Sequence, residues 1–164
     1  MVYDLRRMCL QKTTPKKSHC NHTKIATDIQ GLYPVSNRQK RYILVVCYYF
    51  SKWIQAILLK QIDAKYVAQK LIDKFISIFG TPLELFSDRG SNFESELFKE
   101  MCDLSGTHKT RTTVGRSSSD GLVERINRVI QNMLSAFVQK DHREWCTHWP
   151  TTQVYIAALV SPRH

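Results

Sequence analysis

The feature that most limits the fold is an unbroken apolar run, Tyr42–Tyr49 (YILVVCYY), dense in β-branched and aromatic residues. Such a run packs best as a strand buried on both faces. Lys52–Leu59 (KWIQAILL) follows closely enough to be its antiparallel neighbour, and Lys24–Ile29 reads as a shorter strand before it. The period then changes. Asp63 can cap a helix in which Ala64, Val67, Ala68, Leu71, Phe75, Ile78 and Phe79 make one apolar stripe, stopped by Gly80 and Pro82. Leu83–Ser87 is a fourth strand, Glu94–Leu104 a second helix and His108–Thr113 a fifth strand. Leu122–Val138 is a long amphipathic helix with Val123, Ile126, Ile130, Leu134 and Phe137 facing inward, and a last helix is expected around Thr152–Leu159. The order βββ-α-β-α-β-α predicts an α/β class fold, a mixed five-stranded sheet flanked by helices.

At 164 residues and 43% hydrophobic content the chain suffices for one domain with a real core. No run approaches the ~20 apolar residues of a membrane helix. The five cysteines form no repeating framework, which favours a reduced, intracellular setting. Charge is uneven: residues 1–41 carry nine Lys or Arg against two Asp, a net +7, whereas the other 123 residues carry only +3. A basic arm on a nearly balanced domain suggests a polyanionic partner, most simply nucleic acid. Residues 1–23 read as that irregular arm, and 24–164 as the folded domain.

Three acids occupy comparable places. Asp28 ends the first strand, Asp88 ends the fourth, and Glu124 lies in the first turn of the long helix; 59 residues separate the first two and 35 the last two. Asp88 and Gly90 alone would suit a plain turn. Two neighbouring strand ends and a helix start can instead gather three carboxylates within a few ångströms. Bare, they repel one another and raise a pKa. Mg²⁺ or Mn²⁺ relieves that repulsion, and two such ions can clamp the attacking and leaving oxygens of a phosphoryl displacement.

The segments TDIQG, FSDRGSNF and SDGLVERINR resemble the catalytic core of retroviral and gypsy-type LTR retrotransposon integrases, over roughly Lys24 to Tyr155. YILVVxxxFSKW, FGTP and the Trp145 region are similar to the gypsy-type members. The resemblance implies an RNase H-like fold, with Asp28, Asp88 and Glu124 as catalytic ligands of two Mg²⁺ or Mn²⁺ ions. It also implies DNA as partner, both element ends and target, and a homo-oligomer, with no membrane and no small-molecule substrate. Asn127, Arg128 and Gln131 lie three, four and seven residues after Glu124 and share its helical face. With Arg89, Asn92 and Arg116 they are the expected DNA contacts.

The chain departs from the family pattern in places. Val114-Gly115-Arg116-Ser117-Ser118-Ser119 stands where the family carries a Pro-Tyr-His-Pro-Gln-Ser-like loop, so positioning at the mouth of the site should suffer. Tyr48 or a neighbour replaces an Asp usual before the FSKW segment, and Gln30-Gly31-Leu32-Tyr33-Pro34 replaces Gly-Pro-Leu-Pro. The family's upstream zinc domain is reduced to a remnant at most, within residues 1–23. Cys9, His19, Cys20 and His22 lack zinc-pair spacing, so no zinc is expected. The chain also reads as truncated at its C-terminal end.

The expected function is metal-dependent DNA 3′-end processing and strand transfer, in the nucleus where the substrate lies. The alternatives are a catalytically silent nucleic-acid-binding module and an RNase H-like nuclease that joins no strands.

Overall fold

The computed structural model describes residues 24–88, 90–111, 124, 125, 127–132, 134, 135, 143–147 and 149. Five strands form one sheet: β1 Lys24–Gln30, β2 Tyr42–Tyr48, β3 Ile54–Leu59, β4 Glu84–Ser87 and β5 His108–Arg111, in the order β3-β2-β1-β4-β5. β1, β2 and β3 run antiparallel, while β1–β4 and β4–β5 are parallel. This is the expected mixed α/β sheet. It buries both faces of β2, where every residue from Ile43 to Tyr48 is almost inaccessible, as its continuous apolar run requires.

Alternation divides the core between the two faces. Ile25, Leu44, Val46, Leu59 and Leu85 pack with α1 (Ala64–Leu71) and the helices after β4. Ile43, Val45 and Cys47 pack on the other face against Ile130, Leu134, Trp145 and Trp149. Residues 124, 125, 127–132, 134 and 135 are helical and are called the late helix below. Ile130 and Leu134 are buried as expected; Val123, Ile126 and Phe137 lie outside the described residues, as do Thr112, Thr113, the expected helix at 152–159 and the arm 1–23.

Three local features differ from the sequence expectation. Asp63 caps α1, accepting from the Tyr66 amide at 3.0 Å, but the helix passes into a π-helical segment, Ile72–Ile76. Each wider turn advances the chain's phase, so the apolar stripe ends at Phe75. Ile78 is 65% exposed, and Phe79 keeps only ring contacts with Trp53, Tyr48 and Phe75. The helix expected at Glu94–Leu104 is two helices, α2 (Ser91–Glu94) and α3 (Glu96–Ser105). Ser95 breaks them because its hydroxyl accepts from the Phe98 amide, the N-cap arrangement, which needs an extended backbone. Strand β3 starts at Ile54 rather than Lys52, whose left-handed backbone (φ 59°) belongs to the β2–β3 turn.

Candidate functional site

Asp28 and Asp88 meet because β1 and β4 are parallel neighbours. Thr27 aligns with Ser87, and each aspartate is the next residue; Asp88 lies just past the end of β4, whereas Asp28, expected at the end of its strand, lies inside β1, which runs on beside β2 to Gln30. Asp28 aligns with Val45, so it faces the side of the sheet that the late helix covers. Asp28 is half-buried and Asp88 exposed. Burial raises the Asp28 carboxyl above its ordinary range, and the nearby charge of Asp88 adds to the rise; hydrogen bonds from Asn127 and the Ile29 amide oppose it.

The late helix reaches the site through Asn127, whose Nδ2 donates to Asp28 Oδ2 at 2.5 Å. The Ile29 amide donates to the other oxygen at 2.8 Å. Asn127 Oδ1 is buried and has no hydrogen-bond partner among the described residues. Asn127 therefore faces Asp28. Glu124 lies one turn earlier but is exposed, and its Oε1 accepts from Arg128 at 3.3 Å. The structure thus brings Asp28 and Asp88 together and leaves Glu124 outside. Among the described residues no three His, Cys, Asp or Glu side chains are gathered to hold an ion.

Of the expected DNA contacts, Arg128 and Gln131 are exposed on the late helix and Asn92 is half-buried in α2; Arg89 and Arg116 lie outside the described residues. Gly90 has a structural duty. Its amide donates to Asp88 Oδ1 at 3.0 Å, and a Cβ on it would come within 2.9 Å of that same oxygen. Its φ of −58° is ordinary, so space rather than backbone freedom demands glycine. The room a side chain would fill is taken by the Asp88 carboxylate, not left open for a phosphate. Gly90→Ala is accordingly expected to turn the Asp88 carboxylate and to weaken Mg²⁺ binding about tenfold or more, read by titration, while the melting temperature changes little.

The donors suit a hard divalent cation. They are carboxylate oxygens whose mutual repulsion a cation would relieve, beside an amide oxygen that lacks a donor among the described residues. Thiol chemistry is poorly served: burial pushes Cys47 up to about 12 and Cys102 up to about 11, so neither is a thiolate at neutral pH. Sequence reasoning placed Asn127 on the helix but missed its bond to Asp28; its spacing from Glu124 was the available signal.

A five-stranded mixed sheet of this order, with two aspartates side by side on its parallel pair β1 and β4, has the RNase H-like fold of integrase cores. Comparison with known proteins agrees. A family model described as the integrase core domain matches residues 18–117. The Pol polyprotein of radiation murine leukemia virus (strain Kaplan) is 33% identical over 106 residues, 64% of this chain and 18% of that protein. The Gag-Pol polyprotein of feline leukemia virus is also 33% identical over 106 residues, but only 6% of its length is covered. The chain therefore spans a minor part of these relatives. Among solved structures, the catalytic core domain of BIV integrase superposes with a TM-score of 0.61 at 24% identity, covering 81% of this chain and 82% of that one. An HTLV-2 integrase catalytic core in complex with magnesium gives 0.57 at 22% identity, covering 73% and 74%. The chain belongs to the integrase core domain family, as its motifs led one to expect.

Proposed function

We propose that this domain carries out metal-dependent polynucleotidyl transfer on DNA: hydrolysis at a 3′ end, then joining of that end to a target strand. The observation that carries the reading is the juxtaposition of Asp28 and Asp88 on adjacent parallel strands, each the next residue after the Thr27–Ser87 pair, with Asn127 tying the Glu124-bearing helix to Asp28. Asp28, Asp88 and Glu124 would hold two Mg²⁺ or Mn²⁺ ions, and the magnesium complex of the HTLV-2 core supports that choice of metal. When bound, the ions would polarise the phosphate and lower the pKa of the attacking water or hydroxyl.

The protein's own part is placement. Asn127 and the Ile29 amide fix both oxygens of Asp28, and the Gly90 amide fixes Asp88. The exposed Glu124–Arg128 pair is of the kind that contributes only ~0.3–0.5 kcal/mol, too little to keep Glu124 from a divalent ion. Freed, Arg128 presents its cation to a DNA phosphate, with Gln131 a turn beyond. The intasome form of a simian T-cell lymphotropic virus relative, a fold match with a TM-score of 0.62 at 20% identity, supports assembly of several copies on DNA. A DNA substrate makes the nucleus the proposed compartment.

The gap between Glu124 and the aspartates favours a second reading, a silent nucleic-acid-binding module. A branched-DNA disintegration assay in Mn²⁺ separates the two. Wild type should rejoin strands, and Glu124→Gln should lose at least ~10²-fold of that rate. A folded wild type that binds DNA and shows no activity would leave only the silent module, while cleavage without joining would point to a nuclease.

A further inference from the structure

Six residues beyond Asp88, the Glu94 carboxylate meets two cations from β5. Lys109 Nζ donates to Oε1 at 2.7 Å, and Arg111 pairs with Oε2. The Lys109 side chain is only 9% exposed, so its ammonium depends on that carboxylate, whereas Arg111 is 61% exposed. Lys109 and Arg111 are two residues apart on one strand and share a face. They align with Leu85 and Ser87 of β4, the strand that Asp88 directly follows. The Lys109 hydrogen bond, helped by Arg111, holds the Glu94 carboxyl down at about 2, so it stays ionised at neutral pH.

The segment between Asp88 and Glu94 is therefore fastened twice. At one end the Gly90 amide holds Asp88 Oδ1, and at the other Glu94 is locked to β5. In between, the Phe93 and Glu94 amides both donate to the Gly90 carbonyl, at 3.0 and 3.1 Å, and the Phe93 ring is buried. Gly90 cannot move without carrying α2, and α2 cannot move while Glu94 is held. A structural ion pair would serve anywhere on the surface; this one fixes the turn whose amide orients Asp88.

We propose that the Glu94–Lys109–Arg111 cluster is a positioning clamp for Asp88, which sets the direction of that carboxylate and hence the affinity of the site for its metal. The proposal rests on the reading of Asp88 as a metal ligand given above. The clamp acts on Asp88 through α2 and Gly90.

The test uses the full chain with Glu94→Gln, and a second variant, Glu94→Gln with Lys109→Met, that leaves no uncompensated buried cation. Amide hydrogen exchange, Mg²⁺ titration and Mn²⁺-dependent nicking are measured on each. In a folded variant, exchange at Gly90 and Phe93 should quicken about tenfold or more, with Ile25 and Val46 unchanged. The Mg²⁺ dissociation constant should rise about tenfold, and kcat should fall ~10–10²-fold with KM for DNA within about twofold. Unchanged exchange at Gly90, or a loss carried by KM alone, would overturn the clamp. Failure of wild type to take up Mg²⁺ would instead overturn the metal reading, and the proposal with it.

Discussion

Asp28→Asn is expected to abolish Mn²⁺-dependent strand joining while making the metal-free protein more stable at neutral pH. The first effect follows from the loss of a charged oxygen ligand, a cost of at least ~10²-fold in rate. The second follows from the raised carboxyl of Asp28, whose largest cause is burial, with the charge of Asp88 adding to it. A carboxyl that holds its proton more tightly in the folded state opposes folding once the pH is high enough to ionise it. The penalty is absent below the unfolded value near 3.8, grows as pH rises through the folded value, and is complete above it. The amide carries no charge and avoids that penalty, though it accepts from only one of the two donors, Asn127 or the Ile29 amide. Melting curves of both proteins in chelator from pH 3 to 8 should therefore diverge as pH rises, with the variant higher. Saturating Mg²⁺ should stabilise wild type and not the variant. Curves that coincide across the range would remove the electrostatic account of the site.

The second large effect concerns the face that seats the late helix. Trp145 is 1% exposed, its Nε1 donates to the Pro34 carbonyl at 2.9 Å, and its ring lies against Tyr33 and Trp149. It belongs to the same buried cluster as Ile130 and Leu134, one helix with Asn127. Trp145→Ala removes the ring, leaves a cavity and orphans the Pro34 carbonyl. It should cost ~3–5 kcal/mol in denaturant unfolding, a large share of the ~5–15 kcal/mol typical of a domain. Because the cluster supports the helix, Mg²⁺ affinity should fall even where the variant is still folded. A loss below about 1 kcal/mol would mean that this face is not a cooperative part of the core.

Much of this architecture is legible in the residues. The β2 run is apolar at every position because both faces are covered, and no helix would want so many β-branched neighbours. The acids at 28 and 88 stand out because each follows an apolar run and lies two or three residues before a glycine, although β1 in fact continues past Asp28 to Gln30. Other features depend on phase and register, which composition does not carry. The π-helical segment at Ile72–Ile76 is a property of the packed helix, and it turns Ile78 outward although the stripe includes it. Ser95 could have been read as a cap, but Glu94 and Glu96 on either side look equally helical. The Glu94–Lys109 bond joins residues 15 apart and appears only once β5 is set beside β4. The spacing from Glu124 puts Asn127 on the right turn of the helix, yet its inward direction depends on how Ile130 and Leu134 seat that helix on the sheet.

The central claim is that Asp28, Asp88 and Glu124 share divalent metal. Crystals grown in Mn²⁺ and measured for anomalous scattering test it most directly. The account predicts manganese peaks between Asp28 and Asp88, with Glu124 turned from Arg128 to face them. Peaks absent from this position in well-ordered crystals, or Glu124 still paired with Arg128 beside a bound ion, would contradict it.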